Sequence, residues 1–148
     1  MCWVYFLKFK TEVASVFLKF KNWIENQSGH GIRVIKSDNG TEYTSNKFAK
    51  FFHDAGIEHQ YTTPYTSQQN GVSERKNRTI IEMVRYLLFE KDLPKKFWAK
   101  AVNIAVFLLN RLPTRALQNK TPYKAWHGYK PTLQNLKIFY CLRFTYVP

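Results

Sequence analysis

Two acidic residues set in short polar motifs carry the strongest candidate chemistry of this chain. Asp38 stands in Ile35-Lys36-Ser37-Asp38-Asn39-Gly40, and Glu74 in Gln68-Gln69-Asn70-Gly71-Val72-Ser73-Glu74-Arg75-Lys76-Asn77-Arg78. Carboxylates brought from different elements to one point are hard oxygen ligands suited to Mg²⁺ or Mn²⁺. Two such ions can activate a water or a sugar hydroxyl and stabilise the leaving oxygen of a phosphodiester. Each acid also has an ordinary structural role open to it. An Asp-Asn-Gly sequence favours a turn in which the Asp side chain bonds backbone. Glu74 is expected in the first turn of a helix, where an acid complements the helix dipole by about 0.3–1 kcal/mol. Its basic neighbours ask for more than that, because a positively charged helix surface can lie against phosphates. Arg78, four residues on, shares a face with Glu74 and is the first candidate for a phosphate clamp. Arg75 and Lys76 point elsewhere on the helix and are further DNA-binding candidates, with plain solvation as the alternative.

The elements that must position these residues follow from periodicity and punctuation. Trp3 to Phe9 is aromatic and β-branched enough for a strand. Val13, Val16, Phe17, Phe20 and Ile24 recur at helical spacing, with Thr11 as the expected N-cap and Gly29 and Gly31 as the stop. Ile32, Val34 and Ile35 predict a short strand that delivers Asp38 at its end. Ser45 is the expected cap of a helix carrying Phe48, Phe51, Phe52 and Ala55, closed by Gly56. Ile57, His59 and Tyr61 alternate as in a strand. Residues 62–71 read as a loop, with Pro64 and Gly71 as breakers. Its Tyr65, Gln68, Gln69 and Asn70 are candidates to stack on, or hydrogen-bond to, bases at a DNA strand end. A long helix is expected from Val72, burying Ile80, Val84, Leu87 and Leu88. Pro94 opens the next, which runs to Pro113. Thr121-Pro122 predicts a capped short helix stopped by Gly128, and Ile138 to Val147 a last strand. Strands alternating with helices, then helices, predict an α/β fold with helices packed on a small sheet.

Composition narrows the partner. The chain has 148 residues, a formal net charge of +13, and 45% hydrophobic and 17% aromatic residues. That content supports a packed core and excludes a disordered polyelectrolyte. Its 23 Lys and Arg against 10 acids suit a polyanion, chiefly nucleic acid. Cys2 and Cys141 form neither a disulfide framework nor a metal cluster. His53 and His59 lack the further ligands that zinc requires, and His30 and His127 fall in turns. Trp23, Trp98 and Trp126 are expected in core or edge packing. No run is long and apolar enough to span a bilayer.

Several further strings fall in one recognisable order: Trp3-Val4-Tyr5-Phe6-Leu7-Lys8, Ser37-Asp38-Asn39-Gly40, Gly56-Ile57, Pro64-Tyr65-Thr66, Gln69-Asn70-Gly71-Val72, Glu74 to Thr79, Phe97-Trp98, Asn110-Arg111-Leu112-Pro113-Thr114 and Thr121-Pro122-Tyr123. Together they span nearly the whole chain. The sequence resembles the integrase catalytic core of copia-type LTR retrotransposons, a retroviral-integrase-like branch of the ribonuclease-H-like superfamily. The resemblance implies DNA integration: metal-dependent polynucleotidyl transfer that joins element 3′ ends to target DNA. It implies an Asp, Asp, Glu triad holding Mg²⁺ or Mn²⁺, with Asp38 matching the second acid and Glu74 the third. It also implies a mobile DNA-contacting loop at 62–71. The partners implied are element ends and target DNA, with self-association on DNA, and neither a membrane nor a small-molecule substrate. The implied location is intracellular, and nuclear if the protein is functional.

In that family the first acid precedes the Trp3 segment, whereas the only acids here ahead of Asp38 are Glu12 and Glu25, both in a helix-patterned stretch. The expectation is an integrase core lacking its first two strands and its upstream zinc-binding module, with additional C-terminal helices. Residues 1–115 would form the truncated core and 116–148 its C-terminal extension. The missing strands would lie mid-sheet and leave ladder groups without partners. The chain should then pair differently, be poorly stable or need a partner. Cation binding should be weakened and the chain inactive alone; the alternative is a non-catalytic, basic nucleic-acid-binding remnant. Ser67 stands where the family usually has Pro, and Phe139-Tyr140-Cys141 replaces Phe-Gly-Cys, which together with the start suggests a decayed copy.

Overall fold

The computed structural model describes the chain outside residues 39, 42, 44, 45, 62–66, 91, 135, 138, 140 and 141–148, and for 47 and 67–70 it describes the backbone alone. It comprises two compact units, Tyr5–Lys76 and Met1–Val4 with Asn77–Pro148.

In the Tyr5–Lys76 unit, the apolar period of the sequence becomes helix α1, Val13–Ser28. Gly29 ends it in the left-handed region, at φ 67°, where glycine meets no Cβ penalty, and its N–H donates to Glu25 O at 2.9 Å. The start differs from expectation. A 3-10 turn, Lys10–Glu12, precedes α1, and Glu12 rather than Thr11 occupies the N-cap. The Glu12 carboxylate accepts from the N–H groups of Lys8 at 2.9 Å and Phe9 at 3.2 Å. Those bonds close the start of the 3-10 turn, and α1 itself receives no side-chain cap bond.

Strands β1, Val34–Ser37, and β2, Glu58–Tyr61, pair in parallel with Ser37 opposite Tyr61. Between them lies α2, Asn46–Asp54. Phe48, Phe52 and Ile57 are buried and are surrounded by Val13, Ala14, Phe17, Ile32, Ile35, Tyr43 and Phe51. Phe17 meets Phe48 and Phe52 at 5.7 Å each, and Phe48 meets Phe52 at 4.6 Å. Such aromatic pairs add about 0.5–1.5 kcal/mol each beyond their buried area.

The strand expected at 3–9 does not form; residues 3–7 take no regular structure and Lys8 and Phe9 bend into the 3-10 turn. Strand propensity is mostly a fit to neighbouring strands, and here the backbone is held otherwise. At one end Cys2 exchanges two bonds with the Asn110 carboxamide, and at the other Glu12 takes two N–H groups. Among the described residues the sheet has two strands.

The long helix α3, Ser67–Phe89, begins five residues before the expected Val72. Gln68 and Gln69 are good helix formers, and an interior Gly costs only about 1 kcal/mol against Ala, so Gly71 does not break the helix. Gly71 is buried, and a Cβ there would stand 3.0 Å from Arg75 Nη1. In the second unit, Ile80 and Val84 of α3 pack with Ala101, Val102, Ala105 and Val106 of α4, Trp98–Arg111. Ala101 and Ala105 are fully buried, small enough for close helix approach. A 3-10 turn capped by Pro94 leads into α4, and Leu112, extended before Pro113, ends it. In α5, Pro122–His127, Thr121 Oγ1 accepts from Lys124 N at 3.1 Å and Gly128, at φ 82°, stops the helix, as expected. Trp126 packs edge-on to Trp3 at 5.4 Å, while Trp23 and Trp98 lie at the surface. The Ser45 cap, the strand at 138–147, Tyr140 and Cys141 fall outside the described residues.

Candidate functional site

Parallel pairing gives β1 and β2 a common carboxyl edge, where ligands gather in α/β folds. Ser37 and Tyr61 are register partners at that edge. Asp38 follows the first strand directly, and the chain after the second leads into α3, which carries Glu74. Both acids belong to the Tyr5–Lys76 unit.

Asp38 is exposed, and its Oδ1 accepts from Gly40 N–H at 3.2 Å. The turn role is therefore real, and among the described contacts it uses one of the two carboxylate oxygens. Glu74 is also exposed and, among the described residues, has no ion-pair or hydrogen-bond partner. Because α3 starts at Ser67, Glu74 lies two turns in, not in the first turn as expected. The dipole contribution falls off within the first turn, so it does not account for this acid.

Arg75 bends back along its own helix so that its guanidinium lies over Gly71. Lys76 is half-buried and Arg78 exposed. Gln68, Gln69 and Asn70 belong by backbone to the start of α3 and not to a loop; their side chains, and all of Tyr65, lie outside the described residues.

The earlier acids do not substitute for a third ligand. Glu12 is committed to its cap, while Glu25 Oε2 bonds Lys21 Nζ at 2.7 Å and its Oε1 accepts from Ile32 N–H at 2.8 Å. The Lys21 bond, then the Ile32 N–H, hold the Glu25 carboxyl below its usual range. Among the described residues no three His, Cys, Asp or Glu side chains form a metal-binding group. Two exposed carboxylates with open oxygens still fit Mg²⁺, which is commonly held by one or two carboxylates with waters and substrate phosphates completing its shell.

The histidines take other roles. His53 is exposed, 3.6 Å from Asp54 Oδ1. His30 bonds Ser28 O and His127 stacks on Tyr123 at 4.3 Å. His59 is half-buried on β2, its ring 4.6 Å from Phe52 and 4.0 Å from Tyr61, with Nε2 2.8 Å from Ser37 Oγ. Burial holds its imidazole below the usual 6.5. Sequence reasoning placed His59 on a strand but missed its link to the residue before Asp38. The available signal was the strand period, which puts Ser37 and Ile35 on one face and His59, opposite Ile35, on that same face.

Residues 1–67 match the family model of the integrase core domain. Over 146 residues, 99% of its length, the chain is 44% identical to a retrovirus-related Pol polyprotein from transposon TNT 1-94 of Nicotiana tabacum. Over 139 residues, 94% of its length, it is 40% identical to the corresponding polyprotein from transposon RE1 of Arabidopsis thaliana. It spans 11% and 9% of those two relatives. Among solved structures, it is similar to the HTLV-2 integrase catalytic core domain in complex with magnesium, trimeric form, with a TM-score of 0.56 and 26% identity over 80% of this chain and 70% of that one. It shares its fold with a chain of the simian T-cell lymphotropic virus intasome in complex with PP2A regulatory subunit B56 gamma, with a TM-score of 0.61 and 22% identity over 96% of this chain and 47% of that one. The fold is thus that of a retroviral integrase catalytic core, ribonuclease-H-like and helix-rich around a small parallel sheet. The chain is an integrase-like domain of the kind carried by retrotransposon Pol polyproteins.

Proposed function

We propose that this chain serves DNA integration as part of a metal-dependent polynucleotidyl transferase, and that alone it binds DNA without joining it. The observation that carries the reading is the shared carboxyl edge of β1 and β2, which receives Asp38 and leads into the helix bearing the exposed Glu74. Asp38 and Glu74 would hold Mg²⁺ or Mn²⁺, which when bound supplies charge stabilisation at a reacting phosphodiester. Arg78, and more weakly Lys76, would face phosphates. The 44% identity to a transposon Pol polyprotein and the likeness to an integrase core solved with magnesium support the same chemistry. Two acids of a three-acid set hold a second ion poorly, and in-line transfer wants both ions. The formal charge of +13 supports a DNA-binding role even without turnover.

The test is strand transfer with Mn²⁺ and a short duplex mimicking an element end. The expected outcome is salt-dependent binding with no joined product, the slope of log K against log salt giving the number of phosphates neutralised. Joined product that disappears in Asp38→Ala and Glu74→Ala would refute the inactivity. Failure to bind at low salt would refute the DNA-binding role itself.

A further inference from the structure

A directional hydrogen-bond relay runs beneath the turn that presents Asp38. Ser37 Oγ lies 2.9 Å from the Asp38 carbonyl oxygen and 2.8 Å from His59 Nε2. A carbonyl can only accept, so that contact is a hydrogen bond only with the Ser37 hydroxyl hydrogen directed to it. With the hydrogen there, Ser37 Oγ accepts from His59 and Nε2 carries the proton. Among the described residues His59 Nδ1 is buried with no hydrogen-bond partner, an environment that suits a bare lone pair better than a second N–H. The ring packs against Phe52 and Tyr61, with centroids 4.6 and 4.0 Å away.

We infer that His59 is a positioning residue: in its neutral Nε2–H form it donates to Ser37, which donates to the Asp38 carbonyl and so aims the Asp38 carboxylate. The turn is then held at two points. The Ser37 hydroxyl holds the Asp38 carbonyl, and the Asp38 Oδ1 to Gly40 N–H bond holds its side chain. Ser37 is buried, so water does not readily replace the relay. The relay gives chemical content to the residue before the acid and to a histidine 22 positions away in sequence. As far as it concerns a cation, the inference rests on the reading of Asp38 as a ligand.

The experiment uses the isotope-labelled 148-residue chain in solution. Long-range imidazole spectra of His59 should show the neutral Nε2–H tautomer at pH 7.5; the Nδ1–H tautomer would overturn the relay. Amide exchange at Gly40 should quicken about fivefold in Ser37→Ala and in His59→Phe, the loss of one hydrogen bond. It should stay within about twofold of the parent in His59→Gln, whose side-chain amide keeps a donor near the Nε2 position. His59→Phe keeps the ring packing, and Ser37→Ala removes one oxygen, so the rest of the spectrum should report a folded chain in both. Parent-like exchange in both variants overturns the inference. Mn²⁺ titration then separates it from the cation reading. Asp38 and Gly40 resonances should broaden in the parent and in His59→Gln, and need about fivefold more Mn²⁺ in Ser37→Ala. No broadening in the parent refutes Asp38 as a ligand, while the tautomer and the exchange rates still decide the relay.

Discussion

Asn110 offers the sharpest test of how the amino-terminal segment is held. Only 6% exposed at the end of α4, its Oδ1 accepts from Cys2 N–H at 2.8 Å and its Nδ2 donates to Cys2 O at 2.7 Å. One side chain does for Cys2 what a neighbouring strand would do. Asn110→Ala removes both bonds. At about 1 kcal/mol net for each, the expected loss is about 2 kcal/mol. The loss is bounded above, because the segment can peel away and hydrate, forfeiting the packing of Cys2 and Val4 on the Val84 and Ala105 core. In urea, with a slope of about 2 kcal/mol/M, the midpoint should fall by about 1 M. Asn110→Asp sharpens the argument. Its ionised carboxylate can accept from Cys2 N–H but cannot donate to Cys2 O, whereas the protonated form can do both. Its folded-state pKa should therefore be raised above the unfolded value near 3.9. A raised pKa means stability present in acid and lost as pH rises through the folded value. Hydrogen exchange at the Cys2 amide gives the local readout, protected in the parent and released in Asn110→Ala. If Asn110→Ala unfolds within about 0.5 kcal/mol of the parent, inside the scatter of surface substitutions, and Cys2 stays protected, the clamp is not what holds this segment.

Two further outcomes are expected. His59 binds its proton less readily folded than unfolded, because burial among aromatic rings opposes the charge. Its contribution to stability should be complete above pH 6.5 and decline as pH falls through the lowered folded value; urea midpoints at pH 7.5 and 5.5 should differ less in His59→Gln, which does not titrate there. Ser67 opens α3, a position where the fixed φ of Pro is already helical and its missing N–H goes unused. Ser67→Pro should stabilise the chain by about 0.4–1 kcal/mol in the same assay, and destabilisation would show that α3 does not start there.

What the sequence disclosed well was what depends on local pattern. The apolar period of Val13 to Ile24, the Thr121-Pro122 cap and the Gly29 and Gly128 stops all carry their cause within a few residues, and each forms where expected. Of the failures, those at Cys2 and His59 turn on a partner distant in sequence, and those at Glu12 and Gly71 on the reach of a side chain within four residues. Residues 3–9 have strand chemistry, but their hold on the fold comes through Asn110 and Glu12. The strand period puts Ser37 and His59 on a face each, but the register that brings them onto the same one comes only from the parallel pairing of the two strands. The start of α3 was missed because Gly71 reads as a breaker, whereas in the fold it is buried beneath the Arg75 guanidinium.

That last difference bears most on function. Had the helix begun at Val72, Glu74 would sit in its first turn and the helix dipole would be reason enough for an acid there. With the helix begun at Ser67, Glu74 is an exposed carboxylate deep in a helix, flanked by Arg75 and Lys76 and bonded to neither among the described contacts. Stability gives little reason for an acid at that position, since unpaired surface charges contribute almost nothing. The proposed function supplies a reason: a second oxygen ligand for the cation we propose at Asp38.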